Sequence, residues 1–288
     1  MAGGSADNNQ RPKEVQVFSH LFCSSVLVLA SLPWQGVQEE KAQTVPKLPT
    51  PAAQLAHAKK VKAESRGTKG AARVQALEKA LHAYQSVRQY WPKSGVIAAE
   101  AAFRRGEIQR TLGRPGLARG AFQEAIDQGT DTVFVPRSLL EIGHLHRRAA
   151  EFDQSILHYR RIQEIKAVPL RYLNDSREWL GKVYLELEQW QPAATSFREW
   201  ATNAESPIGI VRAVDLEALA WVGAGDLEQA NLRVQQVRQD LEGLAEEPTK
   251  EAAALAKALE RMKAPAAILA AKRKQEAEAR AKAGGTAG

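Results

Sequence analysis

The chain is 288 residues long, and 44% of its residues are hydrophobic and 25% are charged. This composition is close to that of ordinary globular proteins, so it excludes a wholly disordered chain, a polytopic membrane protein and a collagen-like fibre. The single cysteine, Cys23, excludes a disulfide framework and a zinc site built from thiolates of this chain alone.

The net charge of +7 is carried by the two ends of the chain. Residues 1–70 contain 9 Lys/Arg and 5 Asp/Glu, and residues 250–288 contain 9 and 4, whereas residues 71–249 contain 22 and 24. A nucleic-acid-binding domain usually carries its positive charge on the folded body. The nearly neutral middle therefore makes nucleic acid an unexpected partner for the body of this protein.

The first elements in chain order are a polar segment and an apolar one. Residues 1–16 are rich in Gly and Asn and are predicted to be disordered. Residues 17–34 contain the one strongly apolar stretch, which has no charge from Leu21 to Leu32. Its roughly 12–16 apolar residues are fewer than the about 20 that a membrane-spanning helix needs.

Three interpretations of residues 17–34 stay open. The first is a cleaved export signal, because Arg11 and Lys13 precede the apolar run and small residues allow cleavage after Ala30. The second is an uncleaved membrane anchor, and the third is a buried segment of a cytosolic protein. Residues 35–51 contain three prolines and are predicted to be a linker.

Residues 52–244 show helical periodicity and an internal repeat. A small residue is followed by a large one four positions later and by a further apolar one seven positions later. The leading small residues recur at intervals of 37 or 38 residues. The five sets are Ala80/Tyr84/Val87, Ala118/Phe122/Ala125, Ser155/Tyr159/Ile162, Ala193/Phe197/Trp200 and Ala230/Val234/Val237.

A second series keeps the same interval and lies twelve residues before the first. Its members are Gly106, Gly143, Gly181 and Ala218. A glycine inside a helix costs about 1 kcal/mol of stability relative to alanine. Three glycines at the same position of successive repeats therefore indicate that close packing excludes a larger side chain there. We expect the two helices of each unit to approach closely where both carry small residues, as at Gly106 with Ala118 and Gly181 with Ala193.

These two series resemble the tetratricopeptide repeat, with its small eighth and twentieth residues and its aromatic twenty-fourth residue. The turn at Glu151-Phe152-Asp153 also resembles that family. The segment from Tyr84 to Pro92 and Gly106 is most similar to tetratricopeptide proteins of the bacterial cell envelope. The resemblance implies an all-α, right-handed superhelical solenoid of about five helix pairs.

In the repeat family, fixed positions of the first helix of each pair line a concave groove that binds peptides. When these positions are transferred to the same places in each repeat of this chain, the resemblance implies a groove. Its residues are Phe103, Glu107, Arg110, Arg137, Leu140, His144, Arg147, Glu178 and Lys182, with Glu100, Asp175 and Leu185 at its edges. Three arginines beside two apolar residues favour a partner segment with acidic and apolar side chains. The family's asparagine-based clamp for chaperone tails has no counterpart here.

Motifs of catalysis are missing from the sequence. It contains no glycine-rich phosphate loop, no Gly-x-Ser-x-Gly turn and no His-Glu-x-x-His pair. We therefore expect no enzymatic activity, no cofactor and no metal. The tryptophans Trp179, Trp190, Trp200 and Trp221 are interpreted as core residues, with ligand stacking as the alternative.

Residues 245–288 form an Ala/Lys-rich helical tail. Leu255, Leu259 and Met262 share one helix face, which predicts either a helix that caps the last repeat or a free basic helix. The expected function is a protein- or peptide-binding scaffold in or on the cell envelope, associated with the membrane through residues 17–34. The alternatives are a cytoplasmic scaffold and a basic nucleic-acid-associated protein that uses its charged ends.

Overall fold

A computed structural model describes residues 45–262 and 264–284. These residues form twelve α-helices and contain no β-strand. The predicted disordered segment 1–16, the apolar segment 17–34 and residues 35–44 of the predicted linker lie outside the described part of the chain.

The helices follow one another with short connections. Their bounds are α1 Pro51–Ala63, α2 Gly70–Tyr90, α3 Val96–Thr111, α4 Pro115–Gln128, α5 Phe134–Arg148, α6 Phe152–Gln163, α7 Leu170–Glu186, α8 Trp190–Thr202, α9 Pro207–Ala224, α10 Leu227–Ala245, α11 Lys250–Arg261 and α12 Pro265–Gly284.

Local signals in the sequence account for several helix ends. Thr50, Ser206, Asp226 and Thr249 each precede a helix, and each side-chain oxygen accepts a hydrogen bond from the backbone N–H three residues later. Such caps satisfy backbone donors that have no partner inside the helix. At the other end of α9, Gly225 has a φ of +83°, a left-handed conformation that favours glycine.

The helices pack as antiparallel pairs, and the pairs stack side by side. The pairs are α1/α2, α3/α4, α5/α6, α7/α8 and α9/α10, and each helix also packs against the next pair. We call α1, α3, α5, α7 and α9 the first helices, and α2, α4, α6, α8 and α10 the second helices. This arrangement confirms the predicted all-α, tetratricopeptide-like solenoid of five helix pairs.

The repeated residues form the core between the helices. Every member of the five predicted sets is at most 5% exposed. In the third unit, the Ser155 hydroxyl donates a hydrogen bond of 3.0 Å to the carbonyl of Gly143. This short link shows that the two helices approach each other closely where both carry small residues, as the spacing predicts.

The glycines also have a role that the sequence analysis did not assign to them. A Cβ atom on Gly106 would lie 2.5 Å from the ring of Phe122, one on Gly143 would lie 2.4 Å from the ring of Tyr159, and Gly181 faces Phe197 in the same way. Each glycine therefore makes room for the aromatic residue of the paired helix. In the fifth unit, Ala218 takes the place of the glycine, and Val234, which is smaller than an aromatic residue, takes the place of the ring.

Residues 45–50 of the predicted linker pack on the first helix pair. The fully buried Gln54 accepts from the N–H of Leu48 at 2.8 Å and donates to the carbonyl of Pro46 at 3.2 Å. The Tyr90 hydroxyl donates to the carbonyl of Val45 at 2.9 Å. This end of the linker is therefore part of the folded body.

We expect deletion of residues 1–44 and deletion of residues 1–50 to have different effects. The longer deletion removes the Leu48 and Pro46 hydrogen bonds of Gln54 and the Thr50 cap of α1, and each of these contributes about 0.5–2 kcal/mol. Urea denaturation followed by circular dichroism should therefore place its midpoint below that of the shorter deletion. Equal midpoints for the two truncated chains would contradict a stabilising role for residues 45–50.

The predicted tail consists of two helices, and the first one packs against the last repeat. Leu255, Leu259 and Met262, which were predicted to share one face, are buried against α9 and α10. A guanidinium nitrogen of Arg238 also donates to the carbonyl of Met262 at 2.9 Å. Helix α11 thus covers the apolar end of the repeats, which a solenoid needs.

Candidate binding face

The first helices form one continuous side of the solenoid, which we call the first-helix face. Ion pairs join each of these helices to the next one. Lys59 of α1 pairs with Glu100 of α3 at 2.8 Å, and Arg110 of α3 pairs with Glu141 of α5 at 2.5 Å. Further along the face are the pairs Arg147–Glu186, between α5 and α7, and Arg212–Glu178, between α9 and α7.

An aromatic and basic cluster lies in the middle of this face, around the half-buried Trp179. The Lys182 ammonium lies 4.3 Å and the Arg147 guanidinium 5.0 Å from the indole ring centroid, and the His144 ring meets it edge-on at 4.6 Å. A cation over an indole ring is an attractive arrangement. Trp179, which the predicted groove did not include, therefore contacts three residues that it did include, His144, Arg147 and Lys182.

Trp179 could have been found from the sequence. It lies three residues before Lys182 and one after Glu178, so helical spacing places it beside the predicted groove. The sequence analysis favoured a core role for this tryptophan because it grouped it with three others. Its half-buried ring and its two cations instead make it part of the first-helix face.

Arg137 is the predicted groove residue with the fewest competing partners. Its guanidinium lies 4.3 Å from the ring centroid of Phe103 and 5.7 Å from that of Phe134. It forms no ion pair with any residue in 45–262 or 264–284. A guanidinium that lies over a ring and has no ion-pair partner keeps its nitrogen donors available for a carboxylate.

The two apolar groove residues do not lie on the surface. Phe103 is 1% and Leu140 is 8% exposed, and the Phe103 ring packs against Phe122 and Phe134 at centroid distances of 5.4 and 5.6 Å. The structure corrects the expectation that they offer apolar contact to a partner. Both belong to the core, because the first helices bury part of the face that the family pattern assigns to the groove.

Most of the predicted charged residues already have partners within the protein. Glu107 contacts Arg104 at 2.8 Å and Lys62 at 3.6 Å, and Glu178 contacts Lys182 at 2.5 Å. A reversal such as Arg110→Glu would face Glu141, so it would disturb the fold as well as a ligand. Reversing the charge of these arginines would therefore lower stability as well as binding.

The environment of His144 favours its neutral form. Burial, followed by the charges of Arg148, Arg147, Arg110 and Lys182, lowers its pKa from 6.5 to about 4. Its Nδ1 lies 2.7 Å from the hydroxyl of Tyr159, and burial raises the pKa of that tyrosine. At neutral pH the cluster therefore contains a neutral imidazole between permanent cations.

We expect the protein to lose stability as the pH falls from about 6.5 to about 4, because the unfolded chain then binds a proton at His144 that the folded chain does not. The loss for this group is at most about 1.4 kcal/mol per pH unit. His144→Gln retains hydrogen bonding but cannot titrate. Comparing urea midpoints at neutral and mildly acidic pH should show a smaller loss for the variant, and an equal loss would contradict the assignment.

Two kinds of feature, a metal-binding cluster and a membrane-spanning helix, are absent from the described part of the chain. No group of three or more His, Cys, Asp or Glu side chains within 45–262 and 264–284 is arranged to hold a metal ion. Among the helices α1 to α12, none is long and apolar enough to cross a membrane.

Comparisons with known proteins identify the fold. No family model matches the sequence, and no curated protein matches it. The crystal structure of MamA, a tetratricopeptide-like protein, superposes with a TM-score of 0.51 and 17% identity over 69% of this chain and 97% of MamA. A structure described as PilW, a widely conserved type IV pilus biogenesis factor, covers 72% of this chain with 14% identity and a TM-score of 0.45.

Proposed function

We propose that this protein is a non-enzymatic scaffold that binds a segment of another protein on its first-helix face, through Arg137, His144, Arg147, Trp179 and Lys182. The observation that carries this proposal is that cations of this face lie over aromatic rings, one of them buried and one half-buried. Arg137 lies on Phe103, and Arg147 and Lys182 lie on Trp179.

The chemistry of these groups defines the partner. Guanidinium groups make paired hydrogen bonds to carboxylates, and the indole of Trp179 offers the apolar area that the buried Phe103 and Leu140 do not. Aromatic residues and arginines are the side chains that contribute most to protein interfaces. The expected partner is therefore an acidic segment with at least one large apolar side chain.

A charge-neutralising triple variant tests the proposal. Arg137→Gln, Arg147→Gln and Lys182→Gln together remove three cations from the face without creating new carboxylate contacts. Exposed ion pairs contribute about 0–1 kcal/mol each, so the variant should stay folded. A pull-down from native extract should recover partner proteins with the wild type and lose them with the variant.

A matched control has the same change in charge on other sides of the molecule. Arg88 and Arg114 pair with Glu124 and Glu78, and Lys166 is exposed in a loop. The triple Arg88→Gln, Arg114→Gln and Lys166→Gln should capture the same partners as the wild type. If the control loses them and the first-helix variant retains them, the binding surface lies elsewhere.

We further propose that this scaffold acts in the cell envelope. The support is the apolar segment 17–34, which follows the positively charged Arg11 and Lys13. Small residues in this segment allow cleavage after Ala30. N-terminal sequencing of the protein from its native cells tests this. A chain that begins after Ala30, or an intact chain in the membrane fraction, supports the envelope, whereas an intact chain in the soluble fraction favours the cytoplasmic alternative.

A further inference from the structure

A cleft of about 860 Å³ opens between α1, α2 and α3, at the beginning of the solenoid. This volume is typical of ligand-binding sites. Six cationic side chains line it, namely Lys59, Lys62, Arg66, Arg73, Arg104 and Arg110. Against them stand two lining carboxylates, Glu100 and Glu107, so the side chains that line the cleft carry an excess of positive charge.

The two carboxylates use only part of this positive charge. Arg104 lies between them, 3.6 Å from Glu100 and 2.8 Å from Glu107, and each carboxylate also pairs with a lysine of α1. Three of the six lining cations thus share two carboxylates, and the network holds Arg104 in place. The cleft therefore keeps a net attraction for an anion that enters it.

Arg66 and Arg73 supply the free donors. Both are exposed, both line the cleft, and neither forms an ion pair with another residue of the described chain. Arg66 lies in the turn after α1 and Arg73 lies in the first turn of α2, so the two guanidinium groups come from different elements. They are therefore placed to receive two separate carboxylates.

Leu77, Tyr84 and Ile108 close the bottom of the cleft, and all three are buried, with exposures of 5%, 1% and 1%. They offer little apolar area to a ligand, so the charged side chains of the rim are the groups that a ligand can contact.

We infer that this cleft is a second binding site, distinct from the Trp179 cluster, and that it takes an acidic peptide segment whose carboxylates contact Arg66 and Arg73. This inference does not depend on the proposed use of the Trp179 cluster.

The two carboxylates inside the cleft favour a peptide over a nucleic acid. Glu100 and Glu107 are partly exposed, with 17% and 21% of their side chains accessible, so an evenly charged phosphate backbone would pass close to fixed negative charge. A peptide can place its carboxylates opposite Arg66 and Arg73 and a neutral residue opposite the glutamates.

Fluorescence anisotropy with the full-length chain tests the inference. The probe is a fluorescein-labelled synthetic peptide of alternating glutamate and leucine, and the competitors are a glutamine–leucine peptide and single-stranded oligothymidylate. We expect binding of the glutamate probe to weaken by about tenfold or more in Arg66→Glu/Arg73→Glu, because two charge-assisted hydrogen bonds are lost. The glutamine peptide and the oligonucleotide should compete poorly.

A control with the same reversal of charge separates the cleft from a general charge effect. Lys93 and Lys166 are exposed and lie outside the cleft, so Lys93→Glu/Lys166→Glu should bind the probe about as tightly as the wild type. Equal weakening in both variants, or unchanged binding in Arg66→Glu/Arg73→Glu, would overturn the inference. Stronger displacement by oligothymidylate than by the glutamate peptide would replace it with a nucleic-acid site.

The triple variant of the Trp179 cluster distinguishes this inference from the proposed function. Arg137→Gln/Arg147→Gln/Lys182→Gln leaves every residue of the cleft unchanged, so it should bind the glutamate probe like the wild type even where it loses its cellular partners. Loss of probe binding in that variant would place the acidic-peptide site at Trp179 and overturn the inference.

Discussion

Gly106→Ala should destabilise the protein, although alanine is a better helix former than glycine. The new Cβ would lie 2.5 Å from two ring carbons of Phe122, and that ring is fully buried and packs against Phe103. Because the ring cannot move away, we expect a net loss of about 1–3 kcal/mol, measured as the free energy of unfolding in urea. The helix axes or the ring must shift to accept one methyl group.

Two further variants make this prediction specific. Gly106→Ala/Phe122→Val copies the pairing of Ala218 with Val234 and should cost less than the sum of the two single changes, because the smaller side chain leaves room for the methyl group. Gly120→Ala is the control, since Gly120 is exposed in α4 and a Cβ there would meet nothing within 4 Å. It should stabilise the protein by up to about 1 kcal/mol. The same sign for both glycine substitutions would refute the packing argument.

Arg198→Met/Arg233→Met should be among the most destabilising pairs of changes in the molecule. Glu217 of α9 is 0% exposed, and its carboxylate accepts from Arg198 of α8 at 2.8 Å and from Arg233 of α10 at 3.2 Å. Removing both cations leaves a buried carboxylate with only the indole N–H of Trp221, at 3.3 Å. Breaking a buried ion pair in this way costs about 3–5 kcal/mol.

Removing the carboxylate as well should restore most of this loss. In Arg198→Met/Glu217→Leu/Arg233→Met no buried charge remains, and well-packed apolar replacements of buried ion networks are often nearly neutral. Thermal melting and urea denaturation should rank the triple variant above the double variant. A triple variant that is no more stable than the double one would show that the charges are not the source of the loss.

The repeat architecture could be predicted from the sequence because its signal is local and recurs. Small and large residues at one phase, as in Ala118 with Phe122 and Ala193 with Phe197, determine which helix faces are buried. The stripe of Leu255, Leu259 and Met262 identified the packing face of α11 for the same reason. These features depend on spacing along one helix, which the sequence contains in full.

The binding face could be predicted only in part. The transferred positions found Arg137, His144, Arg147 and Lys182, which the structure brings to one face, but they also named Phe103 and Leu140, which are buried. The position of a residue within its repeat identifies the helix face on which it lies. How deeply its side chain is buried depends on how far the next helix pair is rotated. That rotation follows from packing between helices, which a position in one repeat does not encode.

By itself, then, the sequence determined that the middle of this protein is a stack of helix pairs, which residues meet inside each pair, and where the charge lies along the chain. Only the tertiary structure decided which charges are free. Arg110, Arg147 and Glu178 find partners 31 to 39 residues away, on the neighbouring first helix, while Arg137 does not. Electrostatic attraction depends on distance in space, and that distance exists only after the pairs have stacked.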